Sequence, residues 1–576
     1  KGCDETTRTE ERIEGAEEIV ERLVREKSEE TAVFYNRVGA LSRDLSVLMA
    51  SVFAEERLKE RHRADLTINR GVSGPDGETR RPNHGKKPAD SIHAAKKGGG
   101  DELQEEQQGL MVLDAFAASG VRALSRYLTE VPGICKVVAN DYDTSAIELM
   151  SEAANLCGVG EEFEVQRGDA LDVMYAARAK GLGTYDIVDI DPYGESAPFL
   201  DASVQAVKDG GLLCITSTDM SVLSGVQPEA AFARYGSVPA RGGHHQEMSL
   251  RVLLYATSAA ATRQRRSIKP VLSVAVDHYV RVFVRVFRSP KAALVAARTN
   301  ISYVLQSETC PSYFVIPVLA QQSTPGATHL RSPTTSVRPV PDEDRQSSIS
   351  FHKGDDSYHW QEAGIPPLGG RCPETGGALR TGGPIWSGPL HDEAWVARAI
   401  ILASGGGASA KGTKRPAQST TQPRPRLVAR PRVESLLGAV SRELQDVPLF
   451  YNLRDMFATL GLRFSPQREQ VMSALETAGY RTSGMHKEPL ALKTDAPDAA
   501  VWDVLRCWVR DNPQPPPARS AGRAILARGP KLINDANFET GRAGVDGKKI
   551  IVKGGCLHIC NPEAGWGPLP RGSVTA

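Results

Sequence analysis

The order of apolar and polar positions divides the chain into stretches of different character. Between residues 110 and 287, short runs of branched and apolar residues alternate with segments of helical spacing, the pattern of a parallel sheet built from strand–helix units. The runs predict strands at 110–113, 136–139, 163–166, 185–190 and 212–216. Two further runs, 271–276 and 280–287, are separated only by Asp277-His278-Tyr279 and predict an antiparallel hairpin at the sheet edge. Upstream, 11–30 sets charged residues among Ile13, Ile19, Leu23 and Val24, which fits either a surface helix or a solvated leader. Residues 33–53 read as a loop feeding a helix. Far downstream, 448–509 resumes helical periodicity, with Pro466 placed to open one helix and Gly479 to close it.

Three stretches lack such periodicity: 57–108, rich in Lys, Arg, Gly and Pro; the turn-rich 323–383; and a Gly/Ser/Pro/Arg linker at 404–432. Between the last two, 383–399 carries the apolar and aromatic residues of an ordered patch. At 576 residues the chain exceeds what one hydrophobic core covers, so two folded domains are expected. The division is a charged leader at 1–32, an α/β domain at 33–300 with an insertion at about 57–108, and a turn-rich connecting region at 301–403. The linker at 404–432, a second domain at 433–510 and a mostly irregular tail at 511–576 complete it.

Hydrophobic residues at 40% and charged residues at 24% fit a folded globular chain and exclude fibrous or wholly disordered classes. The net charge of +1 hides an acidic 4–30 and basic 57–97 and 411–432. No apolar run is long enough to span a bilayer, and the acidic start lacks the features of a signal peptide. Nine scattered cysteines suit a reducing compartment. A soluble, intracellular protein is therefore expected. Since the chain begins at Lys1, an upstream targeting segment stays open.

The candidate chemistry lies at the predicted strand ends. Leu113-Asp114-Ala115-Phe116-Ala117-Ala118-Ser119-Gly120 is a small-residue turn leading into a helix at 121–130, where a ligand can lie against backbone N–H groups. A tight strand-to-helix connection explains it equally. It lacks the Gly-x-Gly-x-x-Gly of a dinucleotide site, which weighs against a nicotinamide oxidoreductase. Asp141 ends the next strand where nucleoside-binding sheets place a carboxylate that accepts from ribose hydroxyls, or caps the following helix. Asp169 and Ala170 follow the third strand and suit an adenine amino group and ring nitrogen.

The sharpest signal is Asp191-Pro192-Tyr193-Gly194 after the fourth strand, similar to the Asp/Asn-Pro-Pro-aromatic motif of methyltransferases acting on amino nitrogens. A base amino group is a poor nucleophile because its lone pair is delocalised into the ring. The Asp191 carboxylate and Pro192 carbonyl suit its two N–H bonds and the positive charge that develops on transfer. Tyr193 suits stacking on the base.

With Val33-Phe34-Tyr35-Asn36, Arg43-Asp44-Leu45-Ser46 and 211–219 added, the chain resembles the tRNA guanine-26 N2-dimethyltransferase family. Further similar segments are 247–251, 279–287, 383–392 and 448–508, and the likeness runs from about Glu14 to Val509, with a late echo at 561–568. The resemblance implies an α/β fold: a Rossmann-like class I methyltransferase sheet with an antiparallel edge hairpin, plus a smaller C-terminal α+β domain. It implies S-adenosyl-L-methionine as cofactor, held by Arg43, Arg122, Asp141, Asp169 and Ala170. Asp191 and Pro192 would orient the guanine N2, and Phe34 and Tyr193 would sandwich the base. Arg43 and Arg122 have ordinary ion pairs as their alternative, and Phe34 a place in the core.

The implied partner is tRNA around the elbow that holds G26, gripped by the C-terminal domain and neighbouring basic segments. Those segments serve equally as solvated linkers. No DNA or membrane partner is expected, and oligomeric state is not legible. Lys414-Arg415-Pro416 fits a nuclear address, with a mitochondrial location also open. A catalytically silent tRNA-binding protein on the same fold is the competing reading. Relatives carry two Cys-x-x-Cys pairs suited to zinc, whereas this chain has Ser307-Glu308-Thr309-Cys310 and Cys372-Pro373-Glu374-Thr375. Two thiolates do not fill a tetrahedral site, so no tightly bound zinc is expected. For His244-His245-Gln246-Glu247 and His278, capping or packing roles are expected.

Overall fold

The computed structural model describes residues 16–27, 39–72, 109–179, 183–321, 360–362, 369–405 and 425–539. Among these, seven strands form one sheet in the order β3-β2-β1-β4-β5-β7-β6. They are β1 (Leu110–Asp114), β2 (Ile134–Asp141), β3 (Phe163–Arg167), β4 (Tyr185–Ile190), β5 (Val207–Ser217), β6 (Ser267–Val276) and β7 (Tyr279–Phe287). β1 to β5 are parallel, and β7 runs antiparallel between β5 and β6. This is the sheet the hydrophobic runs predict, edge hairpin included. The chain order reverses between β1 and β4, so the carboxyl ends of these strands open a crevice at the switch point.

Helices cover both faces, which is why β4 is buried at all six positions. One face packs α1 (Ala16–Lys27), α2 (Ala40–Val72) and α3 (Thr144–Cys157); the other packs α4 (Ala170–Ala179), α5 (Leu200–Ala206) and α6 (His245–Arg263). α1 joins the core through Ala16, Val20, Leu23 and Val24, an apolar stripe at helical spacing, while its charged face stays in water. The 1–32 segment is thus a packed helix over this part rather than a leader.

Several expectations change where pairing is non-local. The insertion expected over 57–108 does not start at 57, because α2 continues to Val72; residues 73–108 lie outside the described residues. Its charged stretch is held by ion pairs one turn apart, Glu56–Lys59 and Arg57–Glu60, and by Glu60 against Arg285 of β7. The described parts of 301–403 form regular structure rather than a turn-rich connection. β8 (Ile301–Ser307), β9 (Tyr313–Pro317) and β10 (Leu379–Trp386) form an antiparallel sheet in the order β10-β8-β9, followed by α7 (Glu393–Ala403). β10 pairs with β8, its partners lying 72 to 85 positions upstream, which no local pattern reveals.

The linker reading of 404–432 gives way at Arg430, where α8 (Arg430–Val440) begins. Val433, Leu436, Leu437 and Val440 pack into the core of the large sheet, not with the C-terminal unit. That unit has its own core around Leu453, Met456, Val471, Leu475, Trp502 and Leu505, with three short strands and α9 (Asp498–Asp511). Part of the expected irregular tail belongs to it: the helix Ser520–Leu526 and residues Ile533 and Ala536 are buried there.

The two units are joined by buried charge. Glu247 of α6 accepts from Lys493 Nζ at 2.8 and 2.9 Å, from Arg251 at 2.7 and 2.9 Å, and from the Leu449 N–H at 2.8 Å. All three charged side chains are essentially inaccessible to water. Both cations hold the Glu247 carboxyl below its ordinary range against the effect of burial.

Candidate active site

The first turn after β1 is strained in a way that serves a ligand. Ala118 adopts a φ of +47° and Gly120 one of +75°. At Gly120 a Cβ would meet the Met150 side chain at 2.6 Å, so only glycine fits. Asp141, at the tip of β2, stabilises the turn by accepting from the Ala118 N–H at 2.8 Å, and also accepts from the Asp143 N–H at 3.0 Å. Helix capping here belongs to Asp143, which accepts from the Ser145 N–H. Asp169 accepts from the Leu171 N–H at 2.7 Å as α4 begins, leaving the N–H of Ala170 in the unpaired first turn.

Residues 121–127 form a π-helix, Val121–Tyr127, instead of the expected α-helix, with ordinary helix resuming to Glu130. The wider turn brings residues five apart onto one face. Arg122 and Tyr127 therefore both reach Asp189 of β4, Tyr127 donating its hydroxyl at 2.6 Å and Arg122 approaching at 3.4 Å. Arg122 also donates to Asp191 Oδ2. The guanidinium that the resemblance assigns to the cofactor thus lies against the carboxylate it assigns to the base.

Asp189 and Asp191 are two apart and share a sheet face. Opposite them, Arg281 of β7 donates to both oxygens of Asp189 at 3.0 and 2.7 Å and comes to 3.8 Å from Asp191 Oδ2. It also donates to the Thr216 hydroxyl and, at 2.7 Å, to that of Ser46. Asp114 completes the cluster from the tip of β1, 1% exposed, with no hydrogen-bond partner for either oxygen among the described residues. Burial pushes its carboxyl from the ordinary 3.8 to about 7, Asp189 and Asp191 adding to the rise while Arg122 and Arg281 oppose it. Burial also works against the charged form of Asp191, but Arg122, Arg281 and hydrogen bonds from Arg122 and Thr216 win, and its carboxyl lies below the ordinary range. Two guanidiniums face three carboxylates, so the fully ionised cluster lacks one positive charge.

The turn after β4 is pinned to β5: the Gly194 N–H donates to Thr218 Oγ1 at 2.9 Å, and the Thr218 N–H to the Gly194 carbonyl at 2.8 Å. Pro192 is buried, whereas Tyr193 presents 56% of its surface to solvent at the crevice mouth. Of the predicted site residues, the structure gathers Arg122 and Asp191 into contact and sets Asp141, Asp169 and Ala170 on the neighbouring strand tips. Arg43 is buried on α2, and Phe34 lies outside the described residues. Asp44 and Ser46, in the same motif as Arg43, hold Arg126 and Arg281.

Sequence reasoning missed Asp114, Tyr127, Asp189 and Arg281 as site residues. One signal was available: Arg281 interrupts the apolar β7, buried at seven of its nine positions, and a charge there demands a partner. The donor set of the crevice fits S-adenosyl-L-methionine. A dry, unpartnered carboxyl suits an ammonium, the Asp141 and Asp169 tips suit ribose and adenine, and the first-turn N–H of Ala170 suits a ring nitrogen.

Two other clusters carry metal-ligating residue types. His391, Glu443 and His486 meet in the buried seam between the two units. His391 Nδ1 accepts from the Ser273 N–H and His486 Nε2 from the Ala275 N–H, so each neutral ring carries its proton on the nitrogen facing Glu443. His486 Nδ1 donates to Glu443 Oε1 at 2.7 Å. A metal there would need both rings to lose that proton, so the trio is a packed polar seam in which Glu443 accepts from His486 and lies 3.9 Å from His391. In the degenerate zinc motif, Cys310 and Cys372 bring their sulfurs to 3.6 Å, with Ser307 Oγ at 3.3 Å and Thr375 Oγ1 at 4.0 Å from Cys310. The hydroxyls occupy the corners that thiolates would need. His244 is buried, hydrogen-bonded to Gln306 Oε1 at 3.0 Å, and packs edge-on to Tyr313, a packing role; burial lowers its pKa to about 4. Among the described residues no helix is long and apolar enough to cross a membrane.

Comparison with known proteins follows the same lines. The model of the N2,N2-dimethylguanosine tRNA methyltransferase family matches residues 10–506. The chain is 34% identical to the tRNA (guanine(26)-N(2))-dimethyltransferase of Mus musculus, over 94% of this chain and 74% of that protein. It is 34% identical to tRNA (guanine(26)-N(2))-dimethyltransferase 1 of Arabidopsis thaliana, over 94% and 86%. Its fold matches the solved structure of Trm1 from Pyrococcus horikoshii with S-adenosyl-L-methionine, with a TM-score of 0.54 and 22% identity, over 81% of this chain and 93% of that one.

Proposed function

This chain belongs to the N2,N2-dimethylguanosine tRNA methyltransferase family, and from that premise we propose that it methylates the exocyclic N2 of guanine-26 in tRNA with S-adenosyl-L-methionine, giving N2-methyl- and then N2,N2-dimethylguanosine. The observation that carries this reading is the Asp191-Pro192 tip of β4, its carboxylate kept ionised by Arg122 among the acidic strand tips. The cofactor supplies a methyl group made electrophilic by its sulfonium.

The protein supplies everything that makes an amino nitrogen receptive. The Asp191 carboxylate and Pro192 carbonyl accept its two N–H bonds, favouring the pyramidal form and offsetting the charge that grows on nitrogen. The methylated nitrogen is acidic, and its proton passes to Asp191 or to water. Tyr193, exposed at the crevice mouth, stacks on the extruded base, a contact worth about 1–3 kcal/mol. Phe34 is assigned to the other face of the base. Asp114 takes the methionine ammonium, Arg43 and Arg122 the cofactor's carboxylate side, and Asp141, Asp169 and Ala170 its nucleoside.

The C-terminal unit exposes Arg454, Arg463 and Phe464, a surface that grips tRNA by backbone and shape around the elbow that holds G26. Nuclear import is assigned to Lys414-Arg415-Pro416 and is read directly from a fluorescent fusion with and without those residues.

The test incubates the protein with labelled S-adenosylmethionine and unmodified tRNA bearing G26, separating monomethyl from dimethylguanosine. Dimethylguanosine is expected, and Asp191→Ala abolishes transfer while sparing most tRNA affinity. Loss of tRNA binding in a folded Asp191→Ala protein, or transfer at wild-type rate, removes the assigned role.

A further inference from the structure

β7 is the antiparallel neighbour of β5, and its register sets Arg281 directly opposite Thr216. The register of β4 on β5 pairs Asp189 with Cys214, two positions before Thr216 on the same face. One buried guanidinium thereby spans two strand tips. Its Nη2 reaches both oxygens of Asp189, its Nη1 donates to Thr216, and it comes to 3.8 Å from the same Asp191 oxygen that Arg122 contacts. Ser46 of α2 accepts from Nη2 at 2.7 Å and donates its own hydroxyl to the Ser42 carbonyl at 2.8 Å. Phe283 lies beneath the guanidinium, 5.1 Å from ring centre to Cζ. No rotamer change can move Arg281 without breaking several buried bonds, so it is a fixed point in the site.

We propose that Arg281 is a positioning residue for Asp191, acting with Thr216: together with Arg122 it sets positive charge against the Oδ2 side of the carboxylate and leaves Oδ1 to meet the amino hydrogen of the base. This inference rests on the methyl-transfer reading above and adds a residue from the edge hairpin to it. Arg122 alone does not suffice, because it is shared with Asp189 and, on the reading above, would also hold the cofactor's carboxylate. Arg281 lies on the far side, with Asp189 between it and Tyr127. The groups that face Asp191 are Asp114 of β1, Arg122 of the π-helix, Asp189 of β4, Thr216 of β5 and, on β7, Arg281 and the Tyr279 phenol. Of these, only the two guanidiniums carry positive charge. Removing one leaves Asp191 with a single cation that it must share, and its carboxyl rises toward the ordinary range or above it.

The test measures kcat and KM for tRNA and S-adenosylmethionine across pH in the wild-type chain and in Arg281→Gln, Arg281→Lys and Thr216→Val. For Arg281→Gln the expectation is a fall in kcat of about tenfold or more, KM values within about threefold of wild type, and an acid limb of the kcat profile moved to higher pH. Arg281→Lys, which keeps the charge, returns the limb toward wild type. Should Arg281→Gln fail to fold, Thr216→Val decides: it is isosteric, removes the hydroxyl between the guanidinium and Asp191, and is expected to move the same limb in the same direction by less. An unmoved acid limb in folded Arg281→Gln, or in Thr216→Val, overturns the proposal, as does a loss confined to KM. A wild-type chain that transfers no methyl to G26-bearing tRNA overturns the methyl-transfer reading instead, so the two failures are distinguishable.

Discussion

Asp114→Asn separates a binding carboxylate from a structural one. The side chain is buried at the tip of β1 without a hydrogen-bond partner among the described residues, and its carboxyl is pushed from 3.8 to about 7, chiefly by burial. The folded protein therefore holds a proton that the unfolded chain releases near pH 4. The stability this group contributes is fully present below its unfolded value and is lost as the pH rises through about 7. Asparagine cannot ionise and loses nothing over that range. The gap between variant and wild type without cofactor should widen by roughly 3 kcal/mol between pH 5 and 8, at about 1.4 kcal/mol per pH unit until the folded value is passed. Urea denaturation of both proteins across that range reads the gap directly.

Cofactor reverses the sign for the wild type. An ammonium placed on Asp114 lowers its pKa, so binding near pH 6 releases a proton and affinity climbs with pH until Asp114 is ionised without help. Calorimetry in buffers of different ionisation heat counts that proton. Asp114→Asn should bind more weakly at pH 8 and release no proton near pH 6. A stability gap that stays flat from pH 5 to 8, or wild-type binding with no proton release near pH 6, would refute the reasoning.

Glu247→Gln strips the counter-charge from two buried cations, Lys493 and Arg251, and is expected to cost about 3–5 kcal/mol. Lys493→Met should cost less, since Glu247 keeps Arg251; equal losses in denaturation would contradict the arrangement. Metal analysis of the purified chain should find zinc well below one per molecule, because Ser307 and Thr375 stand where a tetrahedral site needs thiolates; stoichiometric zinc released on Cys310→Ser would show that the knuckle still holds its metal.

Some of this protein was legible without coordinates because it is written in neighbouring residues. The strands of the large sheet announce themselves as apolar runs, since a strand buried on both faces must be apolar throughout. Asp191, Pro192 and Tyr193 announce a nitrogen-directed site, since the whole device sits in one tight turn whose backbone carbonyl, carboxylate and ring are consecutive. The small-residue turn after β1 is visible for the same reason, since its run of small residues ends in Gly120, whose local φ favours glycine; that a Cβ there would also strike Met150 of α3 is a matter of tertiary packing.

What only the tertiary structure decided depends on segments far apart in the chain. The partnership of β10 with β8 crosses an intervening stretch that carries no periodic signal, and the placing of α8 in the first core follows from which apolar surface was left to cover. Arg281 is the sharpest case. Its side chain faces Asp189 and Asp191 because β7 pairs antiparallel with β5 in one register, and a slip of a single residue would turn it to the opposite face of the sheet. Composition and spacing state that a buried arginine needs an anion; which anion it meets is settled only when β4, β5 and β7, drawn from separate parts of the chain, lie side by side with their side chains alternating across a shared sheet.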